Sequence, residues 1–275
     1  MERRDPDFVV GHPRSGTQLL AHLLCAADPD VARWESLTLG ERKKGITGPF
    51  VSFSRTNHPL ITAATDYYEG RCSSEHIREL LRRPSSRVET NWKLTWVLPP
   101  LLEEFPSAKL MHLVRDPRQN VLACHNLEYY GRGMHLSLPN MPHQYQLFYY
   151  SMPYIRRDDW QLLSPFERNC AFWVETHRLI LEQASRQSKY LMVRQDDLND
   201  PVWLAKIFAF FEISLPTPAQ LHAVLDTPVN KKDEEIEAVH TYVKPLPRYP
   251  EWPVPMLESF KRICGDMAAR LGYDL

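Results

Sequence analysis

The chain has 275 residues, which at roughly 150 residues per domain is room for one large α/β domain or two small ones. Hydrophobic residues make up 43% and charged residues 24%, with only 10 glycines, and these values exclude collagen-like, low-complexity and wholly disordered chains. The 33 Lys and Arg balance 34 Asp and Glu, so no bulk field draws the chain to nucleic acid or to a membrane, and neither is expected as a partner.

Cys25, Cys72, Cys124, Cys170 and Cys264 are odd in number and scattered, with no CxxC or Cys/His ligand spacing. That usage favours a reducing compartment, and no metal site is expected. The N-terminal residues meet a strand-sized apolar run rather than a signal segment, and nowhere do about 18 apolar residues run together. A cytoplasmic protein is the expectation. No repeat or linker marks a boundary, so residues 1–275 are expected to form a single domain.

In chain order, Phe8-Val9-Val10 predicts a short buried strand, Gly11 to Gly16 a turn, and Leu19, Leu20, Leu23, Leu24 and Ala27 the apolar stripe of a helix. The unit recurs: Pro99-Pro100 opens a short helix over Leu101 to Phe105, Lys109 to Val114 reads as a strand, and another helix starts near Arg118. Phe166 to Gln187 carries Cys170, Trp173, Val174, His177, Leu181 and Ala184 at helical spacing, ahead of a strand from Tyr190 to Val193. Asp200-Pro201 and Thr217-Pro218 open two more helices, and the last, Pro255 to Leu271, stops at Gly272. Alternating β and α elements imply an α/β fold with a mainly parallel central sheet flanked by helices. Segments 46–72 and 131–160 break this rhythm; rich in Pro, Met and aromatic residues, they are expected to be lids over a site.

Gly11 and Gly16 stand at the spacing of the two P-loop glycines, where backbone N–H groups and a helix N-terminus cradle a phosphate. A nucleoside-triphosphate loop continues with Lys and then Ser or Thr for Mg²⁺, but here the two positions are Thr17 and Gln18. The cation sits inside the loop instead, at Arg14, with hydroxyl donors at Ser15 and Thr17. Arg115 ends the strand of Leu113-Val114, where open α/β sheets bind ligands, and its planar fork suits a phosphate dianion.

Pro13-Arg14-Ser15-Gly16-Thr17 and Val114-Arg115-Asp116-Pro117-Arg118 resemble the two donor-binding motifs of the sulfotransferases that use 3′-phosphoadenosine 5′-phosphosulfate (PAPS). The resemblance implies that Pro13, Arg14, Ser15, Gly16, Thr17 and Gln18 hold the 5′ end of the donor and Arg115 its 3′-phosphate. Position 123 is implied too, but the family usually has Ser there, eight residues after the Arg, and this chain has Ala123. One 3′-phosphate hydrogen bond is then expected to be missing unless Cys124, Asn126 or a water replaces it. Val193 to Leu198 is similar to the family's Tyr-Glu-Asp-Leu segment, with Gln195 where Tyr is usual, and the helix before Lys109 and the C-terminal end also fit.

Sulfuryl transfer needs a base at the acceptor and a cation at the bridging oxygen. By its place in the family's motif, Arg14 is expected to take the second role. A Lys-x-His run, common in cytosolic members, is absent, since the local run is Lys93-Leu94-Thr95. Many bacterial and Golgi-type members use a Glu soon after the first helix, a place matched by Glu35; beside Trp34, its carboxyl could be raised by desolvation. Lys93 is the next candidate, placed to touch the transferring sulfuryl group. His22 and His112 read as structural histidines, and His12 as a weak candidate for donor contact. The resemblance implies a metal-independent PAPS-dependent sulfotransferase acting on a hydroxyl or amine of a small, partly apolar acceptor, with a homodimer left open. An atypical P-loop kinase and a catalytically silent sulfotransferase-like binding protein are the alternatives.

Overall fold

The computed structural model describes residues 6–28, 32–33, 87–90, 92–126, 159, 162–226 and 246–275. Strand β1 (Asp7–Gly11) is buried along its whole length. It leads through a tight loop into α1 (Thr17–Ala27), whose Leu20, Leu23 and Leu24 face the sheet. The short strands β2 (Ala32–Arg33) and β3 (Val88–Thr90) come next, followed by a 3₁₀ turn (Trp92–Val97) and α2 (Leu98–Glu104). Then come β4 (Leu110–Val114), α3 (Pro117–Asn126), the long α4 (Pro165–Ala184) and β5 (Tyr190–Arg194). A second 3₁₀ turn (Gln195–Asn199) leads to α5 (Pro201–Phe211), α6 (Pro218–Leu225) and α7 (Val254–Arg270).

The sheet is parallel throughout, in the order β2-β3-β1-β4-β5. The chain therefore starts in the middle, moves to one edge with β2, fills the gap beside β1 with β3, then crosses over β1 and adds β4 and β5 outward on the other side. That reversal opens a crevice at the C-terminal ends of β1 and β4, the place where such sheets bind ligands. Alternate residues of β1, β4 and β5 serve two cores. Val9, Met111, Leu113 and Val193 pack with α1 and α5 through Leu20, Leu24, Ile207, Phe208 and Phe211. On the other face Val114 packs with α3, α4 and α7 through Val121, Trp173, Phe260 and Cys264.

Local chemistry sets the element ends as expected. Ser164 and Glu167 form a reciprocal capping box with Pro165 at the first helical position of α4, and Thr217 and Gln220 do the same for α6. Asp200 caps α5, and Gly272 takes a left-handed conformation (φ 81°) just past α7. The corrections to the expected elements are small, such as α4 ending at Ala184 rather than Gln187. The proposed lids at 46–72 and 131–160 lie outside the described residues, save the latter's Asp159.

One polar cluster interrupts the second core. His112, in mid-β4, places Nε2 2.7 Å from Nδ1 of His177 on α4 and Nδ1 2.9 Å from the Tyr190 hydroxyl. His12 stacks on Phe172 with ring centroids 4.3 Å apart and lies 6.4 Å from the His177 ring. The structural role expected for His112 holds, but the three buried imidazoles form a group rather than isolated core residues.

Burial drives His12 and His112 down to about 3 and lowers His177 in the same sense, helped by its two neighbours. All three are neutral when folded and titrate near 6.5 when unfolded, so their stability contribution is complete above that pH and is lost as pH falls toward 3. Glu175 works the other way: burial lifts it from 4.5 to about 7, so the folded state takes up a proton first and offsets one histidine. Among these four groups the net is about two protons, or roughly 10²-fold in the unfolding equilibrium per pH unit near pH 5.5, and His125, also lowered by burial, adds in the same direction. Urea midpoints measured from pH 7 to 5 should fall steeply, and less steeply for His112→Gln. A flat profile would exclude a neutral buried cluster.

Candidate active site

The loop from Gly11 to Gly16 is shaped by close approach and by two left-handed residues. A Cβ on Gly11 would lie 2.4 Å from the Leu113 carbonyl oxygen and 2.7 Å from Ser15 Oγ, so only glycine lets β1 run this close to β4. Gly16 has φ 98° and abuts the Gln195 side chain. Arg14 also has positive φ, 68°, unusual for a residue with a side chain. The first helical bond of α1 runs from Leu20 N–H to the Gly16 carbonyl, 3.0 Å. The N–H groups of Thr17 and Gln18 thus lie in the first turn, where no intrahelical acceptor exists and an anion is favoured.

Two guanidinium groups meet at this loop. Arg115 Nη1 donates to the Arg14 carbonyl at 3.0 Å, and Nη2 donates to Gln119 Oε1 at 3.2 Å. The Nε atoms of Arg14 and Arg115 and the Oγ of Ser15 are buried and have no hydrogen-bond partner. Burial, and next the charge of Arg14, lower the Arg115 pKa. Paired cations with unspent donors fit an anion, since buried polar groups without a partner are costly and rare. The nearby acid does not fill this place. Asp116 accepts the Arg118 backbone N–H at 2.8 Å and both Nε and Nη2 of the same residue, the latter at 2.6 Å. Asp116 and Arg118 therefore satisfy each other at the start of α3, and Arg115 is left for a ligand.

The structure brings Pro13, Arg14, Ser15, Gly16, Thr17, Gln18 and Arg115 together at the C-terminal ends of β1 and β4. Ala123 lies one turn beyond Gln119 on α3, the stripe that Arg115 reaches. Both side chains expected to substitute for a serine there have partners of their own. Cys124 is fully buried with Sγ donating to Asn120 Oδ1 at 3.8 Å, and Asn126 Oδ1 accepts the Leu246 N–H at 3.0 Å. His12 is fully buried, and its Nδ1–H donates to the Pro13 carbonyl at 2.9 Å, so its ring faces the core instead of a donor. Glu35 lies outside the described residues. Lys93 has its main chain in the 3₁₀ turn after β3, and two residues on, Thr95 Oγ1 donates to the Gly11 carbonyl at 3.3 Å. That bond sets this turn against the loop.

Asn120 and Thr95 were not among the candidates. Asn120 is a fully buried amide between Pro117 and Cys124 on the inner face of α3, and Nδ2 donates to the Pro13 carbonyl at 3.2 Å. Its readable signal was a polar residue at helical spacing among apolar ones. Among the described residues no group of His, Cys, Asp and Glu is arranged to hold a metal ion, and no helix is long and apolar enough to cross a membrane.

Ser15 separates ligand binding from stability. Its hydroxyl is buried without a partner, so Ser15→Ala removes an unsatisfied group and should leave the melting temperature unchanged or raise it. The same change should weaken binding of a nucleotide phosphate about 10- to 100-fold, the usual worth of one hydrogen bond to a charged group. Thermal denaturation with and without pyrophosphate or adenosine 3′,5′-bisphosphate checks both halves. A lower melting temperature with unchanged affinity would reject the assignment.

A model of the sulfotransferase family matches residues 6–216. No curated protein matches the chain. Among solved structures, the fold is similar to the sulfotransferase domain from the curacin biosynthetic pathway, at TM-score 0.50 and 14% identity over 99% of this chain and 100% of that one. Sulfotransferase STF9 from Mycobacterium avium also matches, at TM-score 0.49 and 15% identity over 99% of this chain and 78% of that one. With the family model spanning the loop after β1, the strand end at Arg115 and the whole sheet, the chain belongs to the sulfotransferase family.

Proposed function

We propose that the protein transfers a sulfuryl group from PAPS to a hydroxyl or amine of a small, partly apolar acceptor, without a metal ion, as one domain over residues 1–275. The observation that carries this reading is the pair Arg14 and Arg115. Two guanidinium groups on adjacent strand ends, joined through the Arg14 carbonyl and flanked by buried donors with no partner, suit a ligand with phosphate groups at both ends. The position after the loop argues against a nucleoside triphosphate, because Thr17 and Gln18 supply neither the phosphate-reaching Lys nor the Mg²⁺ hydroxyl of such sites.

In the transfer, the bond between sulfur and the bridging oxygen of the donor breaks and a new bond forms from sulfur to the acceptor oxygen or nitrogen. Adenosine 3′,5′-bisphosphate leaves. Arg14 stabilises the charge that grows on the bridging oxygen; a guanidinium does this electrostatically and keeps its proton. The amides at the start of α1 and Ser15 hold the 5′ end, and Arg115 holds the 3′-phosphate. The acceptor's proton goes to Glu35, assigned by its place after α1. Lys93, in the turn set against the loop by Thr95, is assigned to the transferring group.

Calorimetric titration with adenosine 3′,5′-bisphosphate in EDTA tests the donor. Tight binding without metal supports the reading, whereas binding only of ATP with Mg²⁺ would favour a kinase. Arg115→Ala should cost about 2 to 4 kcal/mol of that affinity, because a phosphate loses its bidentate partner. An affinity within twofold of wild type would reject Arg115 as the 3′-phosphate clamp.

Glu35→Gln tests the base. Donor affinity should stay near wild type while turnover falls about 10²- to 10⁴-fold. The loss should be greater for an aliphatic alcohol than for an acidic phenol, which ionises without help. Unchanged turnover on the alcohol would move the assignment to Lys93.

A further inference from the structure

Four carbonyls of the loop, those of Gly11, His12, Pro13 and Arg14, are each held by a hydrogen-bond donor. The Gly11 oxygen accepts from Thr95 Oγ1 at 3.3 Å, the His12 oxygen from Ser15 N–H at 3.1 Å, and the Arg14 oxygen from Arg115 Nη1 at 3.0 Å. The Pro13 oxygen takes two donors, Asn120 Nδ2 at 3.2 Å and His12 Nδ1–H at 2.9 Å. A trans peptide is planar, so its carbonyl and N–H point in opposite directions. A Pro13 carbonyl fixed toward α3 therefore turns the Arg14 N–H the other way, away from α3.

Both donors are locked. Asn120 is fully buried, and because a carbonyl oxygen only accepts, the end of its amide that faces Pro13 is Nδ2; Oδ1 lies 3.8 Å from Cys124 Sγ. His12 can donate to a carbonyl only from Nδ1–H, which leaves Nε2 bare, and that atom is buried with no partner beside Phe172. Burial keeps the ring neutral, so this tautomer persists.

We infer that Asn120 and His12 are positioning residues that aim the loop amides at the 5′ end of the donor by clamping the Pro13 carbonyl. The inference rests on the reading of this loop as a phosphate site, and it separates from that reading in the test. Neither side chain touches the ligand.

Titration of adenosine 3′,5′-bisphosphate into the full-length protein comes first; no binding to wild type would overturn the donor reading, and the clamp with it. Given binding, Asn120→Leu should lose about tenfold in bisphosphate affinity and less than twofold in affinity for adenosine 3′-monophosphate, which lacks the 5′ group. Equal losses for both ligands would mean a general structural defect, and no loss would mean no clamp; either overturns the proposal. His12→Asn keeps a donor near the Nδ1 position and should bind the bisphosphate within threefold of wild type, while His12→Gln moves the amide and should not. The reverse order, or equality of the two, counts against it. Should Asn120→Leu fail to fold, nitrogen NMR on wild type still decides. The ¹⁵N shift of His12 Nδ1 must be that of a protonated, pyrrole-type nitrogen with and without ligand, and an unprotonated Nδ1 overturns the clamp.

Discussion

Repulsion between two like charges organises the site. Arg14 and Arg115 sit on neighbouring strand ends, each with a buried Nε that has no partner, and the acid in the same segment, Asp116, is consumed by Arg118. Such a pair is tolerable in water and costly under partial burial, so the arrangement becomes favourable once an anion arrives. The crevice geometry follows from the sheet order. Because β1 is central, with β3 on one side and β4 on the other, the loop after β1 and the residue after β4 open into the same space. A glycine at position 11 is what lets the two strand ends approach.

The opposite end of the sheet is tied by a different set of charges. Lys109, just before β4, donates through its backbone N–H to Asp7 Oδ1 at 2.9 Å and through Nζ to Glu212 Oε1 at 2.6 Å. Arg87 reaches the Phe211 carbonyl at 2.6 Å. These contacts hold the starts of β1, β3 and β4 against the end of α5. The interactions are partly exposed, so each adds little stability by itself, but together they fix the register from which the strand ends at the crevice are measured.

Much of this was legible in the residues. Long helices announced themselves through apolar spacing and caps, as in Ser164 to Glu167 or Asp200-Pro201, because those signals are local. Strands β2 and β3 were not predicted. Val88-Glu89-Thr90 is three residues long and buries a Glu and a Thr, so no apolar pattern marks it; its place comes from pairing with β1. The same division holds at the site. The loop and Arg115 lie in short contiguous motifs, whereas Asn120 and Thr95 act on backbone carbonyls 107 and 84 residues away, and a side chain's identity does not say which distant carbonyl it will meet. The histidine group was invisible for the same reason, since His12, His112 and His177 converge only when α4 lies on the sheet.

Thr95, Asn120 and Arg115 come from segments far from the loop they hold, and this makes the loop a non-portable motif. A peptide cut from β1 through α1 would keep the glycines, the Arg and the hydroxyls yet lose the donors that orient its carbonyls. Grafted onto another parallel sheet, it would bring the consensus without the anion site. The loop's shape is a property of the assembled sheet, so under the proposed donor reading a phosphate ligand would recognise the folded state as a whole, and its binding free energy would stabilise the entire β1–β4 interface rather than the loop alone.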